Sequence, residues 1–222
     1  MKDSYNGVKL DLEPNSKPYL FKRIVSDGFD TVLIFVLFMI LSASVFASPL
    51  ASVYNTHHEN YKRVQNEAVE KYGNDAEAIT NKLKSDGYYL DEQFAANLHA
   101  YLLKLLSGFI AEAAVLLIVP LVSTQRGTPG KLMTGIIPYN EKKQTRASRP
   151  AIIARFIFVF LIDSAFFYLF TGIFTFLLIP VIRLIEMLFN KKNKTICDAV
   201  SGIMMIEKLS YDGIDKKTEE SK

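Results

Sequence analysis

Residues 22–46 read KRIVSDGFDTVLIFVLFMILSASVF, a long apolar run whose beginning carries an arginine and two aspartates. In a helix, Arg23 and Asp27 lie four positions apart and Asp27 and Asp30 three apart, so all three side chains project from one stripe. A rise of about 1.5 Å per residue places Asp30 roughly 10 Å along the axis from Arg23. The stretch predicts a membrane helix with charged groups near one end.

The rest of the chain has the composition of an integral membrane protein. Half of its 222 residues are hydrophobic, and the mean hydropathy is positive. Further apolar blocks occupy 102–122 and 151–189, and about 20 helical residues cross the hydrocarbon core of a bilayer. A cleaved signal peptide is the alternative for the first block, but the polar residues before it and its two aspartates favour an uncleaved helix.

The last apolar block decides the number of spans. It is longer than one helix needs, and Thr171-Gly172 near its middle is suited to a turn. Four spans return Lys191, Lys192 and Lys194 to the cytoplasm, whereas the alternative of three leaves them outside. We therefore predict an all-α bundle of four transmembrane helices, at about 24–46, 102–122, 151–170 and 173–189.

The polar segments are assigned to the two sides of the membrane by their charge. Basic residues before the first span and between 123 and 150 indicate the cytoplasmic side, with both chain termini there. The acidic segment 48–100 is then the outer loop, in which spacings such as Val64/Ala68 and Ile79/Leu83 predict a helical insertion. Residues 1–17 are predicted as a polar cytoplasmic tail, 18–208 as the membrane domain and 209–222 as a disordered tail.

Several kinds of site are not indicated by this sequence. The lone Cys197 excludes an internal disulfide framework. His57, His58 and Glu59 are consecutive, and consecutive helical residues face different directions, so we expect no metal site there. No nucleophile-base pair or nucleotide motif is apparent, so we predict no enzyme and no cofactor. We also predict no nucleic-acid partner, because the basic residues lie where membrane topology already requires them.

Charged residues inside the predicted spans are the main functional signal. An ionised side chain at the bilayer centre costs roughly 2.5–3.5 kcal/mol, so such groups are expected to face one another or to bind a proton or cation. Two carboxyls are left over when the acids are matched with arginines, and Asp30 and Glu112 are the first candidates for a proton or cation site. The acids are Asp27, Asp30, Glu112, Asp163 and Glu186, and the arginines are Arg23, Arg155 and Arg183.

A structural role for the same charges is the alternative. The pairs Arg23/Asp27 and Arg183/Glu186 have helical i,i+4 and i,i+3 spacing, and intramembrane ion pairs can simply fix which helices meet.

The cytoplasmic connection contains a glycine-rich segment, Gln125 to Ile137. A phosphate-binding loop is rejected because the segment lacks the spacing and the Gly-Lys-Ser/Thr ending of that motif. We expect instead a turn, a short strand from Met133 to Tyr139, and a hairpin tip at 140–143. A second strand-like run, 203–206, is predicted to pair with 133–137 and to form a small cytoplasmic β-hairpin-like element.

Three separated motifs resemble the RDD family of small membrane proteins, named for an arginine and two aspartates. Lys22-Arg23-Ile24 with Asp30 resembles the first-helix pattern of the family. The segment around Gly127, Gly130, Lys131 and Gly135 resembles its glycine-rich motif, with Arg155 at the arginine that begins the next helix. The run 195–203, with Asp198, resembles its C-terminal motif.

The resemblance implies that Arg23, Asp30 and Asp198 are this chain's family residues. Ser26 and Asp27 stand where the family usually has small or apolar residues, and Ile203 stands where it usually has threonine. We expect Asp198 to accept hydrogen bonds from turn amides or to pair with a basic loop residue such as Lys131.

Family resemblance leads to two hypotheses for function. The first is cation/proton exchange across the cell membrane through intramembrane carboxylates, with a monovalent cation and protons as the transported species and a homo-oligomer as the working unit. Its candidate ion-binding residues are Asp27, Asp30, Glu112 and Asp163. The second is a non-enzymatic, multi-pass membrane partner of another protein.

Overall fold

The computed structural model describes residues 2–5, 8–11, 20–140, 145–165, 174–190 and 194–207, and the chain is mostly helical. The helices are α1 (Leu20–Phe46), α2 (Ser52–Tyr72), α3 (Ala76–Ser85), α4 (Gly87–Val122), α5 (Pro129–Thr134), α6 (Arg149–Phe158), α7 (Thr175–Phe189) and α8 (Ile196–Val200). The strands are β1 (Lys2–Tyr5), β2 (Val8–Asp11), β3 (Ile136–Asn140), β4 (Thr145–Arg146) and β5 (Ile203–Glu207).

Two of the described helices, α1 and α4, are long and apolar enough to cross a membrane. They contain the first two predicted spans. Helix α4 begins at Gly87, well before the predicted boundary near 102, so it extends into the segment predicted as the outer loop. Its turns become π-helical at Ala113–Ile118 before it ends at Val122.

The chain divides into two compact units, residues 38–108 and the remainder. The unit 38–108 contains the helical insertion that the sequence predicts, built from α2, α3 and the beginning of α4. Asp75 caps α3 by accepting a hydrogen bond from the Ala78 amide at 3.0 Å. His57 of α2 and Glu92 of α4 form an ion pair or hydrogen bond at 2.7 Å between Nδ1 and Oε2. These contacts join α2 to α4 within the unit.

The other unit contains an antiparallel three-stranded sheet in the order β4-β3-β5. Ile137 lies opposite Ile206 and Tyr139 opposite Met204, so 203–206 pair with 137–140, and the predicted pairing with 133–137 is confirmed only at Ile137. Both faces of β3 and β5 are buried. The sheet is therefore a packed element and not an exposed hairpin.

The predicted start of β3 at Met133 is wrong. Pro129 is the first residue of α5, where proline's missing amide hydrogen costs no helical hydrogen bond, so 129–134 are helical. Gly135 has a positive φ of 69° and ends α5, and the strand begins at Ile136. Asn140, the first residue of the predicted hairpin tip at 140–143, belongs to strand β3. Residues 141–144 lie outside the described residues.

The last apolar block is described only in part. Helix α6 continues as π-helical turns over Val159–Ala165, and α7 contains Pro180. The Thr171-Gly172 junction lies outside the described residues, as do Lys191, Lys192 and residues 208–222. Within the predicted N-terminal tail, β1 and β2 pair antiparallel, which the sequence analysis did not anticipate.

Candidate functional site: a buried charge cluster

The first helix presents one buried polar face. Arg23 and Ser26 are each 1% exposed, Asp30 is 3% exposed, and Asp27 is also buried. Their spacing follows the helical repeat, which places all four on neighbouring positions of one stripe. The prediction that the three charged residues share a face of α1 is confirmed, and the structure adds Ser26 to it.

Asp198 lies between two arginines. Its Oδ2 atom accepts a hydrogen bond from Arg23 Nη2 at 2.8 Å, and its Oδ1 atom accepts one from Arg155 Nε at 2.7 Å. Helix α8 fixes this carboxylate through a capping box in which Thr195 and Asp198 each bond to the other's backbone amide. The predicted bond from a turn amide is confirmed by the Thr195 amide, at 3.4 Å.

The electrostatics of Asp198 follow from this placement. Burial by itself raises the pKa of the Asp198 carboxyl, but the Arg155 and Arg23 guanidinium groups outweigh it and hold the pKa well below its ordinary value. Asp198 is therefore an ionised, fully paired carboxylate. It joins α8 to both α1 and α6.

Asp30 is held by the segment that begins α5. The Thr128 hydroxyl donates to Asp30 Oδ2, and the Gly130 amide donates to Oδ1 at 2.8 Å. This contact requires glycine, because a Cβ atom on Gly130 would lie 2.1 Å from the carbonyl oxygen of Ser26. The glycine-rich motif therefore serves as a close-contact surface against α1.

Asp27 pairs with Lys131. The Nζ–Oδ1 distance is 2.9 Å, and the same ammonium lies 3.5 Å from Asp30 Oδ2. Lys131 is only 3% exposed. The predicted pairing of Lys131 with Asp198 is wrong, because the α5 segment packs against α1 and brings the lysine to Asp27 and Asp30.

Lys131 also changes the charge count of the site. When the acids of the predicted spans are matched with arginines alone, two carboxyls are left over. In the described part of the chain, the buried acids Asp27, Asp30 and Asp198 face the buried bases Arg23, Lys131 and Arg155. These six groups carry no net charge together when all are ionised, and Arg183 of α7 adds a positive charge close enough to act on Asp27 and Arg155.

Sequence reasoning missed Lys131 as a buried cation and Thr128 as a ligand of Asp30. Both belong to a segment predicted to be a cytoplasmic turn, where side chains are usually hydrated. The available signal was the low polarity of the neighbouring residues, Leu132, Met133 and the strand that follows. That signal favours a segment packed against the bundle.

The remaining predicted site residues belong to α4, α6 and α7. Glu112 is buried on α4, immediately before its π-helical turns. Glu186 of α7 accepts a hydrogen bond from the Ile196 amide at 3.1 Å, and Arg183 of the same helix is close enough for its charge to act on Asp27 and Arg155. Asp163 lies in the π-helical turns of α6, and its side chain is outside the described part of the chain.

Two other predicted features have structural roles. Gly127 lies beside the Leu132 side chain, 3.1 Å from where its Cβ would be, and Gly135 ends α5. His57 bonds Glu92 and stacks on His99 with ring centroids 5.5 Å apart. Among the described residues there is no group of three or more His, Cys, Asp or Glu side chains arranged to hold a metal ion.

Comparison with known proteins agrees with the motifs at this site. No curated protein and no solved structure is similar enough to count as a match. A family model described as "RDD family" matches residues 17–202, which include every member of the charge cluster. Because the match covers most of the sequence, the chain belongs to the RDD family.

Proposed function

We propose that this RDD-family protein exchanges a monovalent cation for protons across the cell membrane, with Asp27 and Asp30 as the cation-binding carboxylates. The observation that carries the proposal is the position of two buried carboxylates around one buried ammonium. Ionisable groups at such positions in membrane helices are costly and commonly mark ion pathways. The proposal assigns no enzymatic activity to the chain.

The structure changes the proposed chemistry in one respect. Arg23, which lies four positions before Asp27 on α1, bonds Asp198 of α8. Lys131 is the cation that contacts both Asp27 and Asp30. A cation entering the site would therefore compete with a lysine ammonium for carboxylate oxygens.

We further propose four spans with both termini in the cytoplasm. The lengths of α1 and α4 support the first two spans, and the apolar sequences of α6 and α7 support the others. Four spans are few for an alternating-access pathway, so the working unit is proposed to be a homo-oligomer. Cysteines introduced at 123 and 190 in a Cys197→Ser background should both react from the cytoplasmic side; labelling of 190 from outside would support three spans.

The exchange function is tested with the purified full-length protein in lipid vesicles. An imposed Na⁺ or K⁺ gradient should drive proton movement, read by a pH-sensitive dye inside the vesicles. Asp30→Asn should lower that flux at least tenfold, whereas Asp91→Asn, the same change at an exposed residue of α4, should leave it unchanged. Equal fluxes in protein-containing and protein-free vesicles would overturn the proposal.

A second candidate function is that of a membrane partner for another protein. It is favoured by a groove of about 480 Å³ in the unit 38–108, with Arg63, Lys71, Tyr72 and Asp86 among its lining residues. Its mixed charges and aromatic rings suit a polar peptide surface. Crosslinking in native membranes should then recover a distinct protein in fixed ratio, and recovery of the homo-oligomer alone would count against it.

A further inference from the structure

We propose that Arg126 and Arg149, at the adjoining ends of two apolar helices, bind the phosphate group of an anionic phospholipid. Arg126 follows α4 and Arg149 begins α6, and both belong to the compact unit that contains the charge cluster. The inference uses the membrane association of the RDD family and the apolar length of α4. It does not depend on cation exchange.

Hydrogen bonds hold the two arginines on adjoining loops. The Arg126 guanidinium donates through Nη1 to the carbonyl oxygen of Ala147, two positions before Arg149. In the opposite direction, Arg146 Nη1 donates to the carbonyl oxygen of Thr124 at 3.1 Å. Two residues of chain span at most about 7 Å, so the Arg149 backbone lies near the carbonyl that Arg126 contacts. The two long side chains can therefore reach one bound anion.

Arg126 and Arg149 are cations without an acidic partner in the described part of the chain. From 113 to 140 and from 145 to 162 the sequence contains no Asp or Glu. Arg149 is exposed, and its side chain forms no hydrogen bond or ion pair with another residue that the structure describes. A guanidinium group has five N–H donors, and the bond to Ala147 uses one of those of Arg126. Donors therefore remain at both arginines for an anionic ligand.

An exposed apolar stripe leads to each arginine. On α4, Ile118 and Val122 are four positions apart, and Val122 is 80% exposed. On α6, Ile153 and Ile157 follow Arg149 by four and eight positions, and both are exposed. Positions four apart lie on one face of a helix. Both helices thus present an apolar surface that ends at a cationic group.

The ends of α4 and α6 pack together beneath this surface. Ala147 and Ile152 belong to a buried apolar cluster that includes residues of β3 and β5. Leu117 and Leu121 of α4 and Ala151 of α6 pack against the same cluster. The two arginines and the two apolar stripes therefore belong to one packed region.

An anionic phospholipid matches this arrangement of charge and apolar surface. Its acyl chains would lie along the exposed stripes, and its phosphate would meet the guanidinium groups where the chains give way to the headgroup. Guanidinium N–H groups bind phosphate oxygens through charge-assisted hydrogen bonds, and basic sites beside membrane helices bind anionic headgroups. A soluble phosphate compound would use the arginines but leave the apolar stripes without a role.

The test measures lipid binding by the purified full-length protein in a neutral detergent. Phosphatidylglycerol, phosphatidylcholine and soluble glycerol phosphate are titrated separately. Binding is read as lipid retained in native mass spectrometry and as the rise of the thermal unfolding midpoint. Phosphatidylglycerol should bind roughly tenfold more tightly than phosphatidylcholine, and glycerol phosphate should cause no rise. The preference should shrink at about 1 M NaCl, because salt screens exposed charges.

Two substitutions remove the proposed phosphate ligands. Arg149→Gln breaks no side-chain hydrogen bond that the structure describes. Arg126 has a positive φ of 57°, and Arg126→Asn is chosen because Asn tolerates this left-handed conformation. Each variant should bind phosphatidylglycerol roughly threefold more weakly, and the double variant roughly tenfold more weakly.

The matched control is Arg63→Gln, at an exposed arginine of α2, which should bind phosphatidylglycerol as the unmodified protein does. Size-exclusion chromatography verifies folding. Arg149→Gln decides the question if Arg126→Asn fails to fold.

Three results would overturn the inference. Equal retention of phosphatidylglycerol and phosphatidylcholine would exclude recognition of a net negative headgroup. Unchanged affinity for phosphatidylglycerol in the double variant, or in Arg149→Gln if that variant alone folds, would place the lipid elsewhere on the protein. An equal rise of the midpoint with glycerol phosphate would identify a site for soluble phosphate compounds. Binding is measured without a cation gradient, so none of these results bears on the proposed exchange function.

Discussion

Arg23 and Asp198 lie 175 positions apart in the chain and are joined by a 2.8 Å hydrogen bond between Nη2 and Oδ2. Both side chains are buried, and Arg155 contacts the other oxygen of the same carboxylate. One carboxylate thus ties the first helix to α6 and to the C-terminal helix α8. The charges of the RDD motif thus connect three helices of the fold.

Asp198→Asn should strongly destabilise the protein. Two buried guanidinium groups would lose their counter-charge, and breaking a buried ion pair from one side typically costs about 3–5 kcal/mol. Unfolding followed by circular dichroism in detergent measures the effect. Glu207→Gln, in the partly exposed pair with Lys22, is the control and should cost less than about 1 kcal/mol; equal losses would contradict the assigned importance of Asp198.

Acidification should remove the contribution of Asp198. Its pKa is depressed in the folded protein, so its stabilisation is fully present above the unfolded-state value, about 3.9, and is lost as the pH falls toward the folded-state value. We expect the difference in stability between the unmodified protein and Asp198→Asn to shrink below about pH 4. A difference that is constant from pH 6 to pH 3 would be inconsistent with this carboxylate being ionised.

Gly130→Ala should prevent α5 from docking on α1. The added Cβ would lie 2.1 Å from the backbone oxygen of Ser26, and backbone cannot move aside as a side chain can. Loss of the folded protein or of its Asp30 contacts should appear as a lowered unfolding midpoint. Gly28→Ala on α1 is the matched control, since its Cβ meets nothing within 4 Å, and it should be neutral or stabilising by up to about 1 kcal/mol.

Asp27 and Lys131 should be energetically coupled. Asp27→Asn and Lys131→Gln each remove one member of the 2.9 Å ion pair and leave the other buried, whereas the double variant removes both. The double variant should be less destabilised than the sum of the single ones by about 1–3 kcal/mol. The losses of stability caused by Asp27→Asn and by Lys82→Gln, at an exposed lysine of α3, should instead add. If the losses caused by Asp27→Asn and Lys131→Gln also add, the two side chains are not energetically coupled.

Glu92→Gln should weaken the packing of α2 on α4 within the unit 38–108. Glu92 Oε2 lies 2.7 Å from His57 Nδ1 and accepts a hydrogen bond from Asn60 Nδ2 at 3.2 Å. Loss of a partly buried charge-assisted bond should cost about 1–2 kcal/mol. Hydrogen exchange of the α2 amides measures the effect. The control Glu67→Gln, in an exposed pair with Arg63 at 4.0 Å, should change stability by less than about 0.5 kcal/mol.

Local patterns predicted the elements of the fold well. The apolar run after Asp30 indicated α1, the acidic segment indicated a helical insertion, and 203–206 was correctly predicted as a strand, although its partner is 137–140 and not 133–137. Two errors fell at boundaries, where the start of α4 and the helix before Gly135 were missed, and the pairing of β1 with β2 was not anticipated at all. At those points hydrophobicity changes gradually, and tertiary packing decides how far a helix continues.

The sequence by itself determined that Arg23, Asp27 and Asp30 share one face of a membrane-type helix, because the helical repeat depends on spacing alone. Only the tertiary structure decided their partners, giving Asp198 to Arg23 and Lys131 to Asp27. Such pairings depend on how closely distant segments approach, and here the absence of a side chain at Gly130 lets α5 reach the backbone of α1. That contact buries Lys131 beside the two carboxylates of α1.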